Sequence, residues 1–203
     1  FMKAIVLSRR DFREPDQIIS LYPKEKGKLE LLARGVKKIT SKNSAHLEPF
    51  SLVDIDIAYG KEFNHLTKVQ PIEYFKNIRK DLEKSLVAQH IISITNKLTQ
   101  PNEQDERIFN ILKSWLQFTN LPVFQSSNFS LSDGYIVVLL HCLGFAITED
   151  EKMKKWINEL EILEGGNWEA INELEYNPEL HRQIYQFLVY QTEKKVLDWA
   201  KLA

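Results

Sequence analysis

The chain is poor in the residues that build most active sites and staples. Its 203 residues hold one cysteine, Cys142, so no disulfide framework can form. A tetrahedral zinc site needs about four Cys or His ligands. Cys142 and His141 are neighbours on a helix and point apart, so no zinc and no other cofactor is expected. The histidines at His46, His65, His90, His141 and His181 are scattered. No phosphate-binding GxxxxGK[ST] loop, no GxSxG and no HExxH is present, which argues against an enzyme. No apolar run approaches ~18 residues and no basic-then-apolar leader is visible. A cytoplasmic, membrane-free protein is the expectation.

What is present is globular and uneven in charge. Hydrophobic residues make up 43% and charged residues 27%, enough for a packed core. The net charge of −1 conceals a basic first part and an acidic second part. Residues 1–80 carry +6 and residues 81–203 carry −7. Such asymmetry suggests two domains with different partners.

Residues 2–75 read as strands with a period of two. Lys3–Ser8, Gln17–Tyr22, Leu29–Arg34, Ser51–Tyr59 and Leu66–Tyr74 are short, β-branched and bounded by Pro or Gly. In Ser51–Tyr59, Val53, Ile55, Ile57 and Tyr59 alternate with Asp54, Asp56 and Ala58. Pro71 places the last strand at an edge or a bulge. Some 16 residues separate strands three and four, room for one helical turn near Ser41–Leu47. Five strands with an insertion there fit an oligonucleotide-binding (OB) barrel; spacing alone equally admits an SH3-like barrel.

The cations fall where an OB barrel would bind a polyanion. Arg9, Arg10 and Arg13 are expected in the first loop, beside Phe12. The turn Lys24, Lys26, Lys28 precedes strand three, which ends in Arg34. Lys37, Lys38 and Lys42 follow, and Lys61 and Phe63 occupy the loop after strand four. Arg and Lys pair with phosphates, and aromatic faces stack on bases. Taken alone, Phe12 and Phe63 each read as core residues before stacking ones. Glu14 and Asp16 sit in a turn next to Arg9, Arg10 and Arg13 with no histidine nearby, so a structural role outweighs a catalytic pair.

From residue 76 to 203 the period becomes helical. Asn77–Leu98 places Ile78, Leu82, Leu86, Ile91 and Leu98 on one stripe. Further helices are expected over Glu106–Thr119, Ser132–Leu143, from the Thr148–Glu151 capping pattern to Leu163, over Trp168–Leu174, and from the Asn177-Pro178 cap to about Lys201. The fold class is α+β: a five-stranded barrel, then an all-α helical domain. Trp156, Trp168, Tyr190 and Trp199 are candidates for a partner groove, and Cys142 for a core thiol.

In order and spacing, Glu14-x-Asp16-x-Ile18-Ile19-x-Leu21, Glu25-x-Gly27-Lys28-Leu29, Ala33-Arg34-Gly35 and Leu47-x-Pro49-Phe50 resemble the N-terminal domain of the bacterial recombination mediator family RecO. Leu139-Leu140-His141-Cys142-Leu143-Gly144-Phe145 is similar to a helix end of the same family. The resemblance implies an OB fold that binds single- and double-stranded DNA and anneals strands. It further implies a RecR partner, loading of RecA recombinase, and docking of the tail of the single-stranded-DNA-binding protein on the helical domain. The chain lacks the four cysteines that hold zinc in many family members. Two rival readings use the same residues. One is an adaptor whose basic barrel binds an acidic protein; the other is a hydrolase recruiting Asp54 and Asp56.

Overall fold

The computed structural model describes residues 1–37, 44–122 and 129–196. Strands β1 (Met2–Arg13), β2 (Asp16–Pro23), β3 (Leu29–Ala33), β4 (Leu52–Ala58) and β5 (His65–Glu73) close a barrel in the order β1-β2-β3-β5-β4. Neighbours run antiparallel except β3 and β5. Those two meet in parallel at Leu32 and His65, where the Leu32 amide donates to the Asn64 carbonyl at 2.9 Å. This is the OB barrel, which resolves the choice against an SH3-like one.

Alternation explains the barrel core. Ala4, Val6, Ile19, Leu21, Leu29, Leu31, Val53, Ile55 and Val69 point inward and are buried together. The opposite face of β1 and β2 is apolar too. Ile5, Leu7 and Tyr22 pack into the core of the helices rather than into water. The run Ala4–Leu7 is therefore buried on both faces. Pro71 pairs with Val53 beside a register shift that leaves Ile72 of β5 unpaired, a bulge position that tolerates a missing N–H.

β1 is longer than the sequence pattern indicates. It continues through Arg9, Arg10 and Arg13 by way of irregularities after Val6 and after Asp11. These arginines lie on a strand, not in a loop, because bulges let the chain keep pairing while its alternation slips. Within the interval between β3 and β4, a 3-10 turn covers Ser44–His46; the rest of the expected helical turn, residues 41–43, lies outside the described residues.

Seven α-helices follow among the described residues: α1 (Lys76–Lys80), α2 (Leu82–Leu98), α3 (Glu106–Thr119), α4 (Ser130–Cys142), α5 (Ile157–Glu164), α6 (Trp168–Asn172) and α7 (Pro178–Thr192). The expected single helix from Asn77 is two. Asp81 takes an extended conformation, and its carboxylate accepts from the Lys84 amide at 3.0 Å, capping α2. That break resets the helical phase. Leu82 and Leu86 end up 75% and 44% exposed, while Val87, Ala88, Ile91, Ile92, Ile94 and Leu98 form the buried face.

α4 is the central helix, buried from Ser130 to Leu140. Its polar groups are satisfied locally. The Trp115 indole donates to the Leu131 carbonyl at 3.1 Å, Tyr135 shares a 2.6 Å bond with Thr95, and Asp133 meets His181 at 2.7 Å. Asp150, not Thr148, caps the next segment, which is 3-10 over Glu151–Trp156 before α5 begins. α7 ends at Thr192, short of the expected Lys201. Trp156 and Trp168 are core residues, Tyr190 is 81% exposed, and Trp199 lies outside the described residues.

Candidate nucleic-acid interface

The outer face of β2 and β3 meets two loops at one end of the barrel. There Phe12, Arg13, Asp16, Leu32, Arg34, Glu62, Phe63 and His65 line a cleft of about 290 Å³. Phe12 comes from the end of β1 and Phe63 from the β4–β5 loop. Their rings meet edge to face, centroids 5.3 Å apart. Neither belongs to a core: Phe12 is half-buried and Phe63 is 38% exposed. The Arg13 guanidinium lies 5.2 Å from the Phe12 centroid. Arg34, exposed, leaves β3 on the same parity as Leu32, so it shares that face.

Backbone geometry holds the far wall. Gly35 takes φ 65°, a region glycine enters without a Cβ penalty. Its amide donates to Asp16 Oδ1 at 2.7 Å. Asp16 is thereby a clamp between the start of β2 and the exit of β3. The Lys37 amide donates to the Pro15 carbonyl at 3.1 Å, and Lys37 Nζ reaches Asp11 Oδ2 at 2.8 Å. Asp11 also accepts from Gln17 at 2.9 Å. The Gln17 amide, then Lys37, holds the Asp11 carboxyl below its usual range.

The remaining cations divide among several places. Arg10 pairs with Glu30 across the outer face at 3.3 Å, whereas Arg9 turns to Glu48 at 2.8 Å. Adjacent strand residues point apart, so these two arginines cannot serve one surface together. Lys26 donates to the Tyr59 hydroxyl beside the β4–β5 loop. Lys24 and Lys28 face the helices. Lys24 pairs with Glu106 of α3 at 3.0 Å, and Lys28 Nζ donates to the Asn96 carbonyl of α2 at 2.7 Å. Burial pushes the Lys28 ammonium below the usual lysine range. Lys38 and Lys42 lie outside the described residues.

The structure thus brings Arg13, Arg34, Phe12 and Phe63 together, with Arg10 and Lys37 flanking them and Arg9 apart. Exposed ion pairs such as Lys37–Asp11 are weakly held, so a phosphate can exchange with the carboxylate. Sequence reasoning missed the joint. Tyr22 donates to the Asp105 carbonyl at 3.1 Å, and Asn96 lies between Ser20 at 2.9 Å and Ser8 at 3.3 Å. These partners are 76 to 88 residues apart, and no local pattern links them.

Asp54 and Asp56, the residues of the hydrolase alternative, lie on the outer face of β4. Among the described residues no group of three or more His, Cys, Asp or Glu is placed to hold a metal ion. Cys142 is half-buried and burial raises its thiol pKa, which keeps it unreactive at neutral pH. No helix among the described residues is long and apolar enough to cross a membrane.

Residues 2–75 match the family model described as recombination protein O N terminal. The chain is 32% identical over 149 residues to a protein of Thermoanaerobacter sp. (strain X514) named DNA repair protein RecO, covering 70% of this chain and 60% of the relative. A protein of the same name from Syntrophomonas wolfei is 27% identical over 158 residues, 74% of this chain and 63% of the relative. Another from Pelotomaculum thermopropionicum is 32% identical over 109 residues, 54% of this chain and 43% of the relative. The aligned part is about three fifths of the first two relatives' length. The strands of the OB barrel thus carry the match to the recombination protein O N-terminal model, and the alignments with proteins named DNA repair protein RecO run beyond it into the helices.

Proposed function

We propose that the chain is a non-enzymatic DNA-binding mediator of recombination and repair. Its barrel holds nucleotide backbones by charge and bases by stacking. Bringing two strands to one surface without reading their sequence would promote annealing. A RecR-like partner and the tail of the single-stranded-DNA-binding protein are its expected protein contacts, and the site of action is the bacterial cytoplasm at the nucleoid. No bond in DNA is made or broken, and no cofactor is needed.

The observation that carries this reading is the Phe12–Phe63 pair flanked by Arg13 and Arg34 on the face where OB barrels bind oligonucleotides. Aromatic residues half out of the core, beside exposed guanidinium groups, suit stacked bases next to phosphates. The names of the matched relatives support the same reading.

Salt titration tests it. If about four phosphates of a single strand are neutralised, log K falls against log[salt] with a slope of roughly −3. Replacing Arg13 and Arg34 with Ala should weaken binding and make that slope shallower by about 1.4. An unchanged slope would remove the cleft from the binding surface. Binding that requires an acidic protein and ignores DNA would favour the adaptor reading.

A further inference from the structure

At the other end of the β4–β5 loop from Phe63 stands Tyr59, 66% exposed. By the alternation of Val53, Ile55 and Ile57 it would point into the barrel. The strand ends at Ala58, however, and the ring turns out. Lys26, from the turn between β2 and β3, donates to its hydroxyl. The same ammonium lies over the Tyr59 ring, Nζ 4.8 Å from the centroid, so Lys26 both binds the phenol and fixes the ring's orientation. Lys26 has three N–H donors and gives one to Tyr59, so two are available to an anion.

The loop between the two rings is short and tight. A Cβ on Gly60 would lie 2.3 Å from the Phe63 carbonyl oxygen, so only glycine lets the chain fold back there. Phe63 is four Cα steps from Tyr59, which limits their Cα separation to at most about 14 Å. Each end of the loop therefore presents an aromatic ring with a cation from a neighbouring segment: Phe63 with Phe12 and Arg13 at the end of β1, Tyr59 with Lys26 in the β2–β3 turn.

Resting on the DNA-binding reading above, we propose that Tyr59 and Lys26 form a second station for single-stranded nucleic acid. Tyr59 stacks a base, Lys26 takes the adjoining phosphate, and the strand crosses the β4–β5 loop from the Phe12–Phe63 cleft.

The test uses the whole chain and labelled oligothymidylates of about 4 and about 12 nucleotides, the range of OB site sizes. Fluorescence anisotropy reads affinity. Tyr59→Ala should weaken the longer strand roughly tenfold, the order of one stacked base, and leave the shorter one within about twofold. Tyr59→Phe should retain the longer strand's affinity. Lys26→Ala should make the longer strand's salt slope shallower by about 0.7. Normal binding of the longer strand by Tyr59→Ala overturns the second station while wild-type binding keeps the barrel reading intact. Equal losses on both lengths overturn it as well. If the wild type binds neither strand, the barrel reading fails and this proposal fails with it.

Discussion

Gly27 shows how much one residue can carry that its neighbours do not reveal. Its φ of 66° is legible in advance as a tight turn between two strands. What surrounds it is not: a Cβ there would lie 1.8 Å from the Glu103 carbonyl oxygen. Lys28 next to it forms a bridge with Pro101, and its carbonyl accepts from the Asn102 amide at 2.9 Å. The turn is the seam between barrel and helices, and Lys24 and Lys28 are its bolts. Gly27→Ala should combine left-handed strain with a backbone collision and destabilise by about 2–5 kcal/mol. Urea unfolding measures this; a loss under about 1 kcal/mol would mean that the 101–105 segment yields freely. The same contrast holds for Asp16. Composition marks it as a turn residue, but its use as an acceptor for the Gly35 amide depends on a partner 19 residues away.

At the scale of elements, strand and helix identities were readable wherever one periodicity ran uninterrupted. Glu106–Thr119 has the same limits in sequence and structure, because Asp105 caps it and apolar residues repeat on one face. The pattern misled where a single residue shifts the phase. Asp81 did so between α1 and α2, turning Leu82 and Leu86 outward, and bulges did so in β1. Asp105 offers a test of capping. Its Oδ1 accepts from the Arg107 amide at 2.9 Å, and the Arg107 side chain adds a bond to Oδ2 at 2.7 Å. Hydrogen bonding from Arg107 holds the Asp105 carboxyl below its ordinary 3.8. A carboxyl with a depressed folded pKa stabilises above its unfolded value, and that stabilisation is lost as pH falls through the folded value. Asp105→Ala should cost about 1 kcal/mol at neutral pH. Asp105→Asn should keep the cap but flatten the stability loss below about pH 4. Urea midpoints compared at pH 7 and pH 3 check both, and an Asn variant as acid-sensitive as the parent would refute the link to this carboxyl.

Across the whole molecule, the opposite charges of the two parts were plain in the sequence, and so was the order of barrel before helices. Their degree of fusion was not. An apolar cluster runs from Ile5, Leu7 and Tyr22 of the barrel through Phe50, Leu52 and Phe75 into Ile78, Ile91, Ile108 and Leu112 of the helices. Strand faces that a two-domain reading assigns to solvent are thereby spent on the second layer. The cleft inherits a rigid back from this arrangement, since β2 and β3 carry it while Ser20 on β2 and Lys28 in the turn before β3 are tied to Asn96. Phe75 stands at the centre of the junction. It is almost fully buried and opens α1 with φ 51°, and its amide donates to Glu73 at 2.9 Å. Truncating a buried aromatic of this kind costs about 3–5 kcal/mol. If barrel and helices share one core, Phe75→Ala should shift a single unfolding transition, with far-ultraviolet and near-ultraviolet circular dichroism moving together. A variant whose helices melt early while the barrel signal persists would show that the two parts fold on their own terms.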